Sequence, residues 1–261
     1  MIDAGDGPVL LLLHAFPCDS RLWLEQARAA VDAGWRALAV DLPGFGGSSL
    51  PEGDPSLASV ASAVLDELEA RDVTRAVVAG VSLGGYVAME LVRQHPSLIA
   101  GLVLCDTKAT ADSDTARDNR ERLARMVEES PDECGRILEQ AVLPGLLGDT
   151  TRAERPDVVA RVRGWLEEAP ATTVAWYQRA MAGRPDSLRD LAALDAPTLI
   201  VWGEEDVLSP RSEQESMLHC LGDARLVVVP RAGHLANVED PDAVSRPLVE
   251  YLRVVRGPRH A

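Results

Sequence analysis

Short apolar runs alternate along the chain with longer segments whose apolar positions recur at helical spacing. That alternation predicts βαβ units around a parallel sheet. The run Val9-Leu10-Leu11-Leu12-Leu13-His14 reads as a strand covered on both faces. A helix is expected from Ser20, as its cap, to Ala33, with Gly34 ending it. Arg36–Asp41 is the next strand, followed by the loop Leu42-Pro43-Gly44-Phe45-Gly46-Gly47-Ser48. Ser56–Arg71 is helical by spacing, Thr74–Gly80 a third strand, and Ser82 opens a helix that His95 and Pro96 close. Gly101–Asp106, Thr198–Gly203 and Arg225–Pro230 complete six expected strands, with Ser209–Leu221 and Asp240–Val255 as helices.

Residues 107–185 break the pattern. They hold helical stretches at Ala116–Glu129, Asp132–Leu143, Asp157–Glu168 and Thr172–Ala182, set apart by prolines, and no convincing strand. A helical insertion between two strands of a parallel sheet fits over the strand ends, where open α/β sheets bind ligands. The expected organisation is therefore an α/β core of residues 1–106 and 186–261 with a helical cap or lid, 107–185, inserted after the fourth strand.

Composition narrows the choice of partner. With 46% hydrophobic and 26% charged residues among 261, the chain is long enough and apolar enough to bury a full core. A net charge of −15 argues against nucleic acid and against an anionic membrane surface. Lys108 is the sole lysine, a bias we read as codon composition. Cys18, Cys105, Cys134 and Cys220 show no metal-finger or C-x-x-C spacing, so no metal and a reduced, cytoplasmic setting are expected. Val9–Leu13 is too short for a signal or a membrane span. Fraying is expected only over Arg256–Ala261.

The candidate chemistry lies at the predicted strand ends. Gly80-Val81-Ser82-Leu83-Gly84 is G-x-S-x-G between a strand and a helix, an arrangement that exposes a serine hydroxyl on a tight elbow. Such a hydroxyl needs a base to take its proton. Of five histidines, His95, His219 and His260 sit at a helix end, within a helix and in the tail, whereas His234 follows the last strand behind Gly233. An orienting carboxylate comes from Asp206, after the fifth strand, with Glu204, Glu205 and Asp106 as rivals. The backbone N–H groups of Leu83 and Phe16 are the expected oxyanion donors, and His14 is expected to hold the Phe16 loop near the substrate. Met126, Leu143, Leu146, Leu147, Trp165 and Trp176 are candidates for an apolar pocket wall.

Taken together these residues resemble the α/β-hydrolase superfamily. His14-Ala15-Phe16-Pro17 resembles its oxyanion loop, Asp41 to Ser48 its D-x-x-G-x-G-x-S loop, and Gly80–Gly84, Gly203–Asp206 and Gly233-His234 its nucleophile, acid and base loops in the family order. Two departures stand out. Ala15 replaces a usual glycine, and the family's two additional N-terminal strands have no counterpart before Val9, so either the sheet is shortened to about six parallel strands or the chain was begun at an internal start. The elbow and lid length look most like esterases and 3-oxoadipate enol-lactonase-like enzymes. The resemblance implies a cofactor-free serine hydrolase of a small ester or lactone, either alone or as a homodimer. Cofactor-free haloperoxidases (perhydrolases), C–C bond hydrolases and non-catalytic ligand binders of the same fold are the alternatives.

Overall fold

The computed structural model describes residues 1–256, so most of the expected frayed tail, His260 included, lies outside the described residues. Seven strands of the described chain form one sheet: β1 (Ile2–Ala4), β2 (Val9–Leu13), β3 (Arg36–Val40), β4 (Ala76–Val81), β5 (Ile99–Cys105), β6 (Thr198–Gly203) and β7 (Ala224–Val229). Their order is β1-β3-β2-β4-β5-β6-β7, parallel throughout except for β1, which runs antiparallel to β3. The expectation of six strands is thus corrected by a short edge strand. Ile2–Ala4 is too brief to show periodicity, and it is held partly by Arg36, which grips Asp3 through two hydrogen bonds of 2.8 Å.

Right-handed crossovers assign the helices to faces. The step from β2 to β3 runs one way along the sheet and carries α1 (Leu24–Asp32). The later steps run the other way, and carry α2 (Leu57–Glu69) and α3 (Leu83–Gln94) to the opposite face. The strand order therefore reverses at β2, and a crevice opens at the carboxyl ends of β2 and β4. Cover on both faces explains why β2, β4 and β6 are buried at every position.

The insertion between β5 and β6 is helical, in more pieces than the periodicity predicts. It comprises α4 (Asp114–Glu129), α5 (Cys134–Ala141), α6 (Leu143–Leu146), α7 (Asp149–Glu154), α8 (Pro156–Glu168), α9 (Ala171–Ala182) and the short α10 (Leu188–Ala192). Pro144 restarts the chain as α6 where one helix to Leu143 is expected. The remaining helices are α11 (Arg211–Cys220), α12 (Ala236–Glu239) and α13 (Pro241–Arg256). The first helix also differs from its expected form. Asp19, not Ser20, caps a 3₁₀ turn over Ser20–Trp23 by accepting the Arg21 N–H at 2.9 Å, and α1 follows it. Ser20 instead donates its backbone N–H to Asp41 at 2.8 Å, tying this turn to the end of β3.

Candidate active site

Ser82 caps α3 with φ 51° and ψ −112°, a left-handed conformation that side chains rarely adopt. The turn closes only because its neighbours lack side chains: a Cβ on Gly80 would enter the backbone of Gly84, and one on Gly84 would strike the Leu13 carbonyl. The strained turn is held from three sides. The Ser82 N–H donates to Cys105 O at 3.0 Å, and the Ser82 carbonyl accepts from Gly85 N at 2.9 Å and from the Thr107 hydroxyl at 2.9 Å.

From this elbow a hydrogen-bonded chain runs inward. The Ser82 hydroxyl donates to His234 Nε2 at 2.7 Å, and the Nδ1–H of the ring donates to both oxygens of Asp206, each at 2.9 Å. Asp206 is fixed by its own loop. Its Oδ1 accepts the Leu208 N–H at 2.8 Å and the Ser209 N–H at 3.1 Å, and its Oδ2 accepts the Ser209 hydroxyl. Burial alone would lower the His234 pKa. The charge and hydrogen bond of Asp206, reinforced by Asp106 and Glu239, outweigh it and leave the ring raised above 6.5. Burial alone would raise Asp206, and His234 reverses that to a lowered value. This arrangement suits a base that accepts a hydroxyl proton and is stabilised once charged.

The rivals for the acid are placed elsewhere. Glu204 is exposed, and Glu205 accepts the Thr150 N–H at 2.8 Å and its hydroxyl at 2.6 Å. Asp106 is fully buried, and its oxygens accept the Gly203 N–H at 2.7 Å and the Ala236 N–H at 3.0 Å. Burial and the nearby Asp206 charge push its carboxyl well above the usual range. Glu239 makes a similar brace, accepting Gly148 N and Gly233 N at 2.9 Å each and so joining the insertion to the His234 loop.

Ser82 and His234 open on a cavity of about 580 Å³, which Phe16 also borders. Leu83 is the first residue of α3, so its N–H has no helical carbonyl to pair with, and it is buried and does not itself border this cavity. His14 lies behind this wall instead of in it. Its Nδ1–H donates to Ala15 O and its Nε2 accepts the Leu42 N–H, both at 2.9 Å, locking the Phe16 loop to the loop after β3. Burial lowers its pKa, in keeping with a neutral brace.

Of the apolar candidates, Met126 and Leu146 line the cavity and the others do not. Leu143 and Leu147 pack into the core, with Val142 and Gly145 taking the wall in their place. Trp176 packs edge-on against Tyr177 at 5.1 Å. Trp165 belongs to the buried stripe Val158-Val162-Trp165-Leu166 of α8, and borders a separate cavity of about 790 Å³ that neither Ser82 nor His234 reaches. The apolar count could not separate these residues because helix cores use the same side chains. Sequence reasoning missed the polar wall altogether: Lys108, Asp112 and Arg120 line the Ser82 cavity. It also missed Ser209, although the Asp-x-x-Ser spacing after β6 would have placed a hydroxyl near Asp206. Among the described residues no cluster of His, Cys, Asp or Glu is arranged to hold a metal ion. None of the described helices is long and apolar enough to cross a membrane.

The comparisons with known proteins agree with this architecture. The alpha/beta hydrolase family model matches residues 10–246, and the chain belongs to that family of hydrolases. A thermophilic esterase from Thermogutta terrifontis, solved with malate bound, is 36% identical and superposes with a TM-score of 0.93 over 98% of this chain and 93% of its own. The enol-lactonase of Burkholderia xenovorans LB400 is 25% identical, with a TM-score of 0.86 over 95% of this chain and 92% of that one. A 2-hydroxy-6-oxo-6-phenylhexa-2,4-dienoate hydrolase from Comamonas testosteroni is 26% identical over 96% of this chain and 90% of its own.

Proposed function

We propose that the protein hydrolyses a carboxylic ester or lactone through an acyl-enzyme on Ser82. The observation that carries this reading is the unbroken relay from the Ser82 hydroxyl through His234 to Asp206, opening on a cavity. Ser82 Oγ attacks the carbonyl carbon while its proton passes to His234 Nε2, and the Phe16 and Leu83 amides hold the oxyanion. The imidazolium, stabilised by Asp206, returns that proton to the leaving alkoxide as its bond to the carbonyl carbon breaks, which leaves the acyl group on Ser82. Water, deprotonated by His234, then attacks the acyl-enzyme and releases the acid and free Ser82. Residues 107–185 act as the cap that walls the substrate, contributing Met126 and Leu146 to the cavity. The esterase and enol-lactonase neighbours support this choice of bond. The Comamonas relative supports C–C bond hydrolysis as a second reading on the same residues.

The test is covalent labelling together with turnover. A fluorophosphonate probe is expected to label the native protein and leave Ser82→Ala unlabelled. Hydrolysis of short p-nitrophenyl esters or lactones is expected to fall by about 10⁴-fold or more in Ser82→Ala. Labelling that persists in the variant would overturn the nucleophile. Ser82-dependent cleavage confined to dienoate C–C substrates would select the second reading.

A further inference from the structure

The cavity beside Ser82 carries a positive charge that the hydrolytic steps do not use. In a chain of net charge −15, its ionised wall consists of Lys108, Arg120 and Arg122 against one carboxylate, Asp112. Asp112 is already surrounded by cations, although its Oδ1 accepts no well-formed hydrogen bond. Arg184, itself buried, reaches its Oδ1 at 2.8 Å, Arg120 Nε donates to its Oδ2, and Lys108 Nζ lies 3.3 Å from Oδ1. Burial would raise the Asp112 carboxyl, but Arg120 and Arg184 hold it down at about 2, so it is charged at any working pH.

Arg184 has its remaining bonds satisfied within the fold. It donates to Met181 O at 3.1 Å and Thr110 O at 2.8 Å, and lies 4.1 Å over the Tyr86 ring. Lys108 and Arg120 differ, because both keep about a fifth of their side chains open while lining the cavity. A structural ion pair needs one cation for one carboxylate. Three cations on Asp112 leave an excess in a half-desolvated pocket, which is costly unless an anion enters. The position is close to the reacting atom. Lys108 follows Thr107, whose hydroxyl is bonded to Ser82 O, and Tyr86, also on the wall, is one helical turn beyond Ser82.

We infer that the Lys108–Arg120 side of this cavity binds a carboxylate carried by the substrate, so the preferred substrates are half-esters or lactones bearing a free carboxylate. Met126 and Leu146 then pack the short carbon chain between the two ends. Arg120, its Nε on Asp112 and its Nη1 3.4 Å from both Gln178 Oε1 and Met181 Sδ, has Nη2 left for an anion, and Lys108 adds a point charge. Asp112 and Arg184 keep the two cations in place. This inference rests on the hydrolytic reading above.

The decisive comparison is monomethyl glutarate against dimethyl glutarate, which share a leaving group and differ in one charge, followed by pH-stat. The half-ester is expected to have the higher kcat/KM. Lys108→Gln is expected to cut the ratio of the two values about tenfold, mostly through KM, as loss of one charge-assisted hydrogen bond predicts. Lys108→Arg is expected to restore much of it. Equal kcat/KM for the two esters, or a ratio unchanged in Lys108→Gln, would overturn the inference and leave the hydrolase standing. Ser82→Ala supplies the arm that does not need turnover: calorimetry with glutarate is expected to show binding that Lys108→Gln abolishes. If no ester is cleaved in a Ser82-dependent way the hydrolytic reading fails, and this calorimetric result alone keeps or overturns the anion site.

Discussion

Two aspartates stand at the carboxyl ends of neighbouring parallel strands, and both are buried. Asp206, after β6, gives both oxygens to the His234 ring and draws its other bonds from its own loop. Asp106, after β5, touches no side chain of the relay. It accepts one amide from the end of β6 and one from α12, just past His234. One carboxylate therefore orients the ring, and the other joins the two loops that carry Asp206 and His234. Burial and proximity are common to both; the direction of their hydrogen bonds separates them.

The sharpest way to break this comparison is to neutralise each in turn. Asp206→Asn is expected to lower kcat by about 10⁴-fold, since an amide cannot hold the Nδ1–H tautomer. Asp106→Asn is expected to cost far less rate and more fold. Its amide has one acceptor oxygen for two backbone donors, and an orphaned buried N–H costs about 1–3 kcal/mol. Steady-state kinetics on p-nitrophenyl acetate with urea midpoints would read both effects. If the rate losses came out reversed, the acid would move to β5.

A smaller effect concerns pH. His234 must be neutral to accept the Ser82 proton, so kcat/KM falls on the acid side as the ring charges. Because the ring is raised above 6.5, the acid limb is expected above that pH. Both carboxylates favour the cation, Asp206 most, so removing either charge lowers the ring's pKa and moves the limb to lower pH. Asp206→Asn should therefore shift the limb further than Asp106→Asn. A pH–rate profile showing the opposite order would mean that Asp106 is the closer electrostatic partner.

The sequence made much of this legible, and unevenly. The parallel sheet was readable because β2, β4 and β6 are uninterrupted apolar runs, and the elbow because Gly80 and Gly84 flank Ser82 between a strand and a helix. Strand β1 was not, since three residues, two of them exposed, carry no period. The cavity wall was least legible. Trp165 and Met126 look alike in sequence, and only the packing of α8 and α4 sends one to the far cavity and the other to Ser82. Lys108 and Arg120 lie twelve positions apart, and meet only because Asp112 draws both together.

Ser209 sharpens the comparison most finely, because its hydroxyl belongs to the Asp206 side alone. That hydrogen bond helps keep the Asp206 carboxyl low by sharing its negative charge. Ser209→Ala removes the hydroxyl and leaves the Leu208 and Ser209 backbone donors in place, so the loop should keep its shape. The rate is expected to fall about tenfold or less, the scale of one hydrogen bond to a charged group. The pH profile distinguishes this from simple loosening. With one donor fewer, Asp206 becomes the more basic partner, stabilises the His234 cation more strongly, and moves the acid limb to higher pH. That is opposite in sign to the shift expected for Asp206→Asn and Asp106→Asn. A limb that moved down in Ser209→Ala would show that the hydroxyl acts by holding the acid loop in place and not through the charge of Asp206.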